Sequence, residues 1–377
     1  MTFEFFNVPR ILFGRGQLAR LPDLVPSSAR AFLVYNGSDI LAERVEAAMK
    51  RPAAARFRQR GEPTVDDIDR ALAAAREHRC DFVLGAGGGS AIDAAKAVAG
   101  LLSNGGGATD YMEIVGKGHK IARPAVPWIA IPTTAGTGAE VTRNAVIGWP
   151  AKKFKASLRS EMLMASAALI DPDLHVDVPP NVTASSGMDA LCQCIEAYVS
   201  TGANALTDPI AVRGVELAGR YLKRAYDDGS DLEAREGMAL AALFSGIALT
   251  NAGLGAVHGF AAPLGANFPV PHGTACGLLL PLVIEANVSA ARQVPEGGAL
   301  LQKHEAVGRA LGEREGSGFQ TCADLARHLN LPKLSQFGVA EADIEPMVQL
   351  AKRASSMRYN PVRLDDGALS KLLRGAL

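Results

Sequence analysis

Three side chains in the C-terminal half of the sequence have the chemistry of metal ligands. Asp189 lies in the run 187–193, and His258 and His272 each stand directly before a glycine. One carboxylate and two imidazoles suit Zn²⁺ or Fe²⁺ and leave a coordination position open. Gln193 follows Asp189 by four residues, so both side chains lie on one face of a helix. An isolated core or surface histidine is the alternative for either imidazole, but two of only seven histidines bracket one short apolar segment.

A second group of residues is suited to binding phosphate. Gly87, Gly88, Gly89 and Ser90 follow the apolar run 81–84 and precede an alanine-rich segment. Glycine permits positive φ and leaves no Cβ in the way of an anion. We expect Ser90 to cap the following helix, whose first N–H groups then face a diphosphate. Because the pattern departs from GxGxxG at its sixth position, a tight turn without a ligand is the alternative.

A third group lies in a loop rich in threonine. Thr133, Thr134 and Thr137 follow the apolar run 128–131, together with two glycines. Their hydroxyl groups could meet the phosphates and ribose of a nucleotide, although a solvated turn would have the same composition. Two such loops after parallel strands favour a dinucleotide site. Asn36 ends an earlier strand, where an acid often selects NAD; asparagine would not repel a 2′-phosphate, so NADP remains open and NAD is only slightly preferred.

The predicted secondary structure that holds these residues changes near residues 178–181. Before that point, short apolar strands alternate with alanine-rich helices, which predicts a parallel sheet covered on both faces. The predicted strands are Ala31–Tyr35, 81–84, 128–131 and Ala167–Ile170, with helices at 66–78 and 90–102. Beyond it the periodicity predicts only helices, at 183–200, 205–221, 232–252, 272–287, 297–311 and 317–329. We therefore predict an α/β dinucleotide-binding domain at 1–180 and an all-helical metal and substrate domain at 181–377, with the ligands in the cleft between them.

Composition excludes several classes of function. The 377 residues carry 39 basic and 39 acidic side chains, so there is no basic field for nucleic acid or for an anionic membrane. The first sixteen residues lack the apolar stretch of a signal peptide, and the strongest apolar run, 277–284, is too short to cross a bilayer; we expect a cytoplasmic protein. The five cysteines form no CxxC pair and are interpreted as small core residues.

Taken together, these motifs resemble the iron-containing (group III) alcohol dehydrogenases over nearly the whole chain. The resemblance lies in the glycine turn with Asp93 and Lys96, the threonine loop with Glu140 and Thr142, Asp171-Pro172, the run around Asp189, Glu196, and the two histidine segments. It implies a dehydroquinate synthase-like two-domain architecture, NAD or NADP, a divalent metal and commonly a homodimer. By this resemblance the glycine turn and the three threonines would bind the cofactor. Asp189, His258 and His272 would bind the metal.

Two positions depart from the family pattern. Gln193 stands where the family has a histidine ligand, and Ala262 stands where a further histidine usually follows the ligand matching His258. The amide oxygen of Gln193 could still bind the metal as a ligand, but it is a weaker donor than imidazole, so we expect reduced affinity for Fe²⁺ or Zn²⁺. Some sequences similar to this one also carry Gln at the first position, which indicates a variant site. Ala262 removes a candidate proton carrier near the nicotinamide.

The expected reaction interconverts an alcohol and an aldehyde or ketone by hydride transfer, with the metal polarising the substrate oxygen. Three alternatives remain at this point. One is a metal-free reductase resembling maleylacetate reductase, which Gln193 makes plausible. Another is a lyase resembling dehydroquinate synthase, which would need a cluster of Lys and Arg that the apolar stretches around Asp189 and His258 lack. The third is a cofactor-binding relative that has lost its activity.

Overall fold

The computed structural model describes residues 2–377, and these fold into two units. The first, an α/β unit, contains residues 6–134 and 138–177. The second, a helical unit, contains residues 178–377 together with 2–5 and 135–137. The segment 135–137 comes from the threonine loop, so Thr137 belongs to the helical unit whereas Thr133 and Thr134 belong to the α/β unit.

The α/β unit is built on a parallel sheet, as the sequence predicts. Its strands are β1 (Ile11–Phe13), β2 (Ala31–Tyr35), β3 (Ala55–Arg58), β4 (Phe82–Gly87), β5 (Trp128–Pro132), β6 (Asn144–Trp149), β7 (Phe154–Arg159) and β8 (Ala167–Ile170). Six of them pair in parallel in the order β1-β8-β5-β4-β2-β3. Strands β2, β4 and β5 are buried along their whole length, which explains their continuous apolar sequences.

The helices of this unit are α1 (Asp39–Met49), α2 (Val65–Glu77), α3 (Gly89–Asn104) and α4 (Ala108–Tyr111), with short 3₁₀ turns at Gln17–Asp23, Ala139–Val141, Pro150–Lys152, Glu161–Leu163 and Pro172–Leu174. Helix α2 begins with a reciprocal cap, since the Thr64 hydroxyl accepts from the Asp67 N–H and the Asp67 carboxylate accepts from the Thr64 N–H. Sequence periodicity located α2 and α3 to within two residues at each end.

The antiparallel hairpin of β6 and β7 was not predicted. Its second strand contains Lys155 in a run of basic residues, a composition that is also typical of a charged loop. In the structure Lys155 forms an ion pair with Glu62, and its side chain is only 15% exposed. Strands as short as β1, and edge strands as polar as β3, likewise leave little pattern in the sequence.

The helical unit contains α5 (Pro180–Val199), α6 (Thr207–Asp227), α7 (Leu232–Ala252), α8 (Ala256–Asn267), α9 (His272–Ala291), α10 (Gly298–Ala310), α11 (Phe319–His328), α12 (Ile344–Arg353) and α13 (Asp366–Gly375). Short 3₁₀ turns lie at Pro295–Gly297, Leu334–Phe337, Glu341–Asp343 and Met357–Tyr359. One extensive apolar core joins these helices. The absence of predicted strands beyond residue 180 agrees with the described residues of this unit.

Helices α8, α12 and α13 of this unit were not predicted from the sequence, and α9 is longer than predicted. Helix α8, which carries His258, was not predicted because its glycines and Pro263 are unfavourable in a helix; burial of its apolar face compensates. The apolar run 277–284 is only the middle of the 20-residue α9, which by length and composition could cross a membrane. However, 67% of that apolar window is buried within the structure, as in the core helix of a folded domain.

Candidate functional site

The three predicted metal-ligating side chains meet in the helical unit. Asp189 Oδ1 lies 3.3 Å from His258 Nε2 and 3.7 Å from His272 Nε2. Their imidazole rings are 5.3 Å apart, centre to centre. Asp189 and His258 are buried, whereas the side chain of His272 is 36% exposed. The cluster is therefore accessible to solvent on the His272 side.

Glu196 sets the orientation of His258. It lies on α5, and its Oε2 is 2.6 Å from His258 Nδ1. Its other oxygen accepts from the Val257 N–H at 2.7 Å, at the first turn of α8. A Cβ on Gly255 would come within 2.8 Å of that oxygen, so glycine is required for the approach. With Nδ1–H directed at Glu196, His258 presents Nε2 to Asp189.

Close packing of two helices brings His272 to the same place. His272 is the first residue of α9, directly after Pro271. A Cβ on Gly273 would stand 2.0 Å from the carbonyl oxygen of Ser185 on α5, a distance that no side chain could tolerate. Glycine at 273 therefore allows the start of α9 to lie against the helix that carries Asp189.

Two cysteines that were not predicted as site residues lie at this cluster. Cys276 Sγ is 3.8 Å from His258 Nε2, and Cys192 Sγ is 3.9 Å from His258 Nδ1. Potential ligand atoms of Asp189, His258, His272 and Cys276 all lie within 4.8 Å of one another. All five cysteines are buried, as expected of core residues, but that interpretation is incomplete for these two. The available signal was the spacing of Cys276, which follows His272 by one helical turn on α9.

The cluster favours positive charge near its centre. Burial raises the pKa of the Asp189 carboxyl. Burial alone would lower the pKa of His272, but negative charge on Cys276 and Asp189 outweighs it and raises that pKa to about 9. Burial opposes ionisation of Cys276 too, yet a hydrogen bond from Cys192 and the adjacent His258 hold its pKa well below the ordinary value. Oxygen, nitrogen and sulfur donors thus lie together in one cluster.

Gln193 is on the same face of α5 as Asp189 but is engaged elsewhere. Its Oε1 accepts a hydrogen bond of 2.8 Å from the Ser245 hydroxyl on α7. Ser245 Oγ also lies 3.2 Å from the carbonyl oxygen of Gly136, in the segment of the threonine loop that belongs to the helical unit. Its neighbour Thr137 is in the same short segment. Ala262 lies on α8, one turn after His258, and is partly buried.

The glycine turn in the α/β unit joins three adjacent strands at their carboxyl ends. Asn36 follows β2, Gly88 follows β4, and Thr133 follows β5. Asn36 Oδ1 accepts the Gly88 N–H at 3.1 Å, and the Thr133 N–H donates to Gly87 O at 2.9 Å. Gly87 has φ of +144°, and a Cβ there would stand 2.1 Å from Asn36 Oδ1. Thr134 Oγ1 would lie 3.2 Å from a Cβ on Gly88, so this side chain also lines the turn.

The structure corrects the predicted cap of α3. Gly88 is the N-cap, the helix begins at Gly89, and Ser90 is the second helical residue with no side-chain cap. The Gly88 N–H is taken by Asn36, and the Ala91 N–H returns to Gly88 O. Within residues 2–377, the N–H groups of Gly89 and Ser90 at the start of this helix donate no hydrogen bond to a protein acceptor. They are therefore the two donors available to an anion.

Lys96 anchors the segment that follows the threonine loop. This side chain is fully buried on α3, and its Nζ donates to Ala139 O, Thr142 Oγ1 and Asn144 O at 2.6–2.9 Å. Asp93 lies 3.6 Å from the same ammonium group. Lys96 thus fixes the 3₁₀ turn at Ala139–Val141, which follows directly on the loop, against the helix that begins at the glycine turn.

Comparison with known protein families gives two matches. The family described as "Iron-containing alcohol dehydrogenase" matches residues 9–172. The family described as "Fe-containing alcohol dehydrogenase family, C-terminal" matches residues 183–377. Together they cover nearly the whole chain and both structural units.

Relatives of known name match over the full length. Alcohol dehydrogenase 4 of Schizosaccharomyces pombe is 34% identical, over 100% of this chain and 90% of the relative. The NAD-dependent methanol dehydrogenase of Bacillus methanolicus is 31% identical, over 99% of this chain and 100% of the relative. Among solved structures, an alcohol dehydrogenase from Oenococcus oeni superposes with a TM-score of 0.91 at 26% identity, and each chain is fully covered.

Proposed function

This chain belongs to the iron-containing alcohol dehydrogenase family, and from that membership and its site we propose that it is an NAD(P)-dependent oxidoreductase that interconverts an alcohol and an aldehyde or ketone. Relatives named alcohol dehydrogenase and NAD-dependent methanol dehydrogenase support this reaction. They do not favour a lyase or a relative without activity. A metal-free reductase is disfavoured by the cluster around Asp189.

One observation is the main support for a metal-dependent reaction. Asp189 Oδ1 is buried, and no hydrogen bond of acceptable geometry reaches it within the described residues, although two imidazole nitrogens lie 3.3 and 3.7 Å away. A buried carboxylate oxygen without a hydrogen bond is costly, and a cation bound between these atoms would offset that cost. The side chains therefore fit a divalent metal, and we propose Asp189, His258 and His272 as its ligands. Gln193 remains a weaker candidate, since its oxygen already accepts from Ser245.

The roles of the individual residues follow from this assignment. When bound, the nicotinamide would exchange the hydride and the metal would act as a Lewis acid on the substrate oxygen. His258, held by Glu196, keeps Nε2 directed at the cluster, and His272 lines its solvent-accessible side. With Ala262 in place of a histidine, we propose that proton exchange uses water or the ribose hydroxyls of the cofactor. A variant Ala262→His with an unchanged pH–rate profile would contradict that route.

For the cofactor, we propose that the glycine turn holds the diphosphate. The N–H groups of Gly89 and Ser90 point from the positive end of α3, and Thr134 adds a hydroxyl beside Gly88. Thr133 and Thr137 are proposed to complete the site. Asn36 carries no charge that would repel a 2′-phosphate, so both NAD and NADP are proposed cofactors, with a slight preference for NAD.

We also propose a cytoplasmic homodimer. Five buried thiols without a disulfide in the described residues suit a reducing compartment. The dimer rests on the family resemblance alone. Light scattering of the purified protein would test it.

The activity is tested with metal-stripped protein reloaded with Fe²⁺ or Zn²⁺ and assayed with NADH and NADPH against a panel of aldehydes. We expect turnover that a chelator abolishes. His258→Ala should lose most of it, whereas the exposed His119→Ala is the matched control and should retain it. Equal turnover of the stripped and the reloaded protein would instead support the metal-free reductase.

A further inference from the structure

Cys276 is a fourth potential donor beside Asp189, His258 and His272. It follows His272 by one turn of α9, and its Sγ is 3.8 Å from His258 Nε2. Asp189, His258, His272 and Cys276 are the four side chains whose ligand atoms lie within 4.8 Å of one another. Gln193, which stands where the family has its remaining histidine ligand, accepts instead from Ser245.

Three of the separations between these atoms are close to those of a tetrahedral metal site. With metal–nitrogen and metal–oxygen bonds of about 2.1 Å and a metal–sulfur bond of about 2.3 Å, tetrahedral geometry puts nitrogen and oxygen about 3.4 Å apart and sulfur and nitrogen about 3.6 Å apart. The observed separations are 3.3 and 3.7 Å from Asp189 Oδ1 to the two imidazoles, and 3.8 Å from Cys276 Sγ to His258. Each observed separation lies within about 0.3 Å of the corresponding tetrahedral value.

A separate observation also favours a bound cation at this point. Asp189 Oδ1 is fully buried and lacks a hydrogen bond of acceptable geometry within the described residues. His258 has its Nδ1 directed at Glu196, so Nε2 is the atom that faces both Asp189 and Cys276. A proton on Nε2 leaves the carboxylate oxygen unsatisfied at this geometry, whereas one metal ion would satisfy oxygen, nitrogen and sulfur together.

We propose, on the basis of the function proposed above, that the Cys276 thiolate is the fourth protein ligand of the metal in place of the family histidine at Gln193. Binding replaces the thiol proton: the S–H bond breaks, a metal–sulfur bond forms, and the proton passes to solvent. A thiolate is a soft donor that binds Zn²⁺ in preference to Fe²⁺, and affinity for nitrogen and sulfur sites rises from Fe²⁺ to Zn²⁺. The site therefore selects zinc, which can still expand to a fifth ligand.

The test is to titrate metal-free protein with Co²⁺, a spectroscopic substitute for Zn²⁺, and to record the near-ultraviolet absorption. The wild-type protein should bind one Co²⁺ per chain with a sulfur-to-metal charge-transfer band, and Zn²⁺ should displace it. Cys276→Ala and Cys276→Ser should lose the band and bind Zn²⁺ at least tenfold more weakly. Cys322→Ala is the matched control, because it removes a buried thiol of the same unit far along the chain, and should keep the band.

The outcomes separate the two proposals. Cobalt bound without a charge-transfer band in the wild-type protein would overturn the cysteine ligand and leave the proposed function standing. A band that persists in both Cys276 variants and disappears in Cys192→Ala would also overturn it, in favour of the alternative group of Cys192, Glu196 and His258. No bound metal at all would overturn both the ligand and the metal-dependent reaction. A wild-type spectrum without the band overturns the cysteine ligand by itself, and Cys276→Ser, which keeps the size of the side chain, serves as the test where Cys276→Ala fails to fold.

Discussion

Glu196 provides a demanding test of how the metal cluster is positioned, because it touches His258 without belonging to the ligand set. Its carboxylate is 2.6 Å from His258 Nδ1 and accepts the Val257 N–H at 2.7 Å. Removing such a partner of a ligating histidine typically weakens metal binding by about 10- to 100-fold, or about 1.4–2.7 kcal/mol. Glu196→Gln keeps an acceptor and loses the charge, so we expect it near the lower end, with Glu196→Ala near the upper end.

The substitution should also weaken the start of α8. Glu196 accepts from an N–H group of the first turn, where loss of a capping acceptor costs about 1 kcal/mol. Asp365→Ala is a matched control, since Asp365 caps α13 by accepting the Ala368 N–H and lies outside the cluster. Both alanine variants should lower the free energy of unfolding. Only the Glu196 variant should lower metal affinity.

Zn²⁺ affinity would be measured by competition with a chromophoric chelator, and stability by urea denaturation of the metal-free protein. Nucleotide affinity, measured by quenching of protein fluorescence, should be unchanged, because the residue touches the helical unit alone. Wild-type Zn²⁺ affinity in Glu196→Ala would refute the argument that this carboxylate fixes the imidazole. Equal losses of metal affinity in Asp365→Ala would show that general destabilisation, and not orientation, governs binding.

Three further predictions concern other parts of the chain. Gln193→His should raise Fe²⁺ affinity at least tenfold by restoring an imidazole; an unchanged value in metal competition would show that the Ser245 contact keeps this position out of the cluster. Asn36→Asp should keep the Gly88 hydrogen bond but weaken binding of NADP more than NAD, measured as the ratio of KM values; an unaltered ratio would place the 2′-phosphate elsewhere. Burial raises the pKa of Glu140 to about 7. Between pH 4.5 and 7 the folded state therefore retains a proton that the unfolded state has lost. As the pH rises through this range, the free energy of unfolding should fall by up to about 3 kcal/mol. Glu140→Gln should flatten that part of the pH profile in urea denaturation, and a slope equal to that of the wild-type protein would assign the effect to other groups.

Much of the fold could be predicted from the sequence, because burial of a strand or a helix face imposes a regular pattern of apolar residues. Strands β2, β4, β5 and β8 are buried on both faces, and their continuous apolar runs were located to within three residues at either end. Helix α7 was located at both of its ends. Where burial is partial, prediction fails. The β6–β7 hairpin is only partly buried, with two charged residues in β7, and α8 contains residues that disfavour helices.

The glycine turn contains a contact that could not be predicted from the local sequence. From sequence alone, Ser90 is the natural cap of α3, since serine is among the best N-cap residues. The structure uses Gly88 as the cap because Asn36, fifty-two residues earlier, supplies the acceptor for its N–H. That contact depends on β2 and β4 being neighbours in the sheet, which neither segment encodes by itself.

The metal cluster likewise depends on a contact between segments that are distant in the sequence. Asp189, His258 and His272 were identifiable because carboxylate and imidazole are residue types that attract attention as ligands. Cys276 was assigned to the core, since a single buried thiol usually is a small apolar residue. Two features distinguish Cys276 from an ordinary core cysteine. It follows His272 by one helical turn, and the packing of α8 places His258 Nε2 at 3.8 Å from its sulfur. A substitution at one ligand position, here glutamine at 193, should therefore prompt a search of neighbouring helix faces for a replacement donor, because the buried carboxylate still needs a cation.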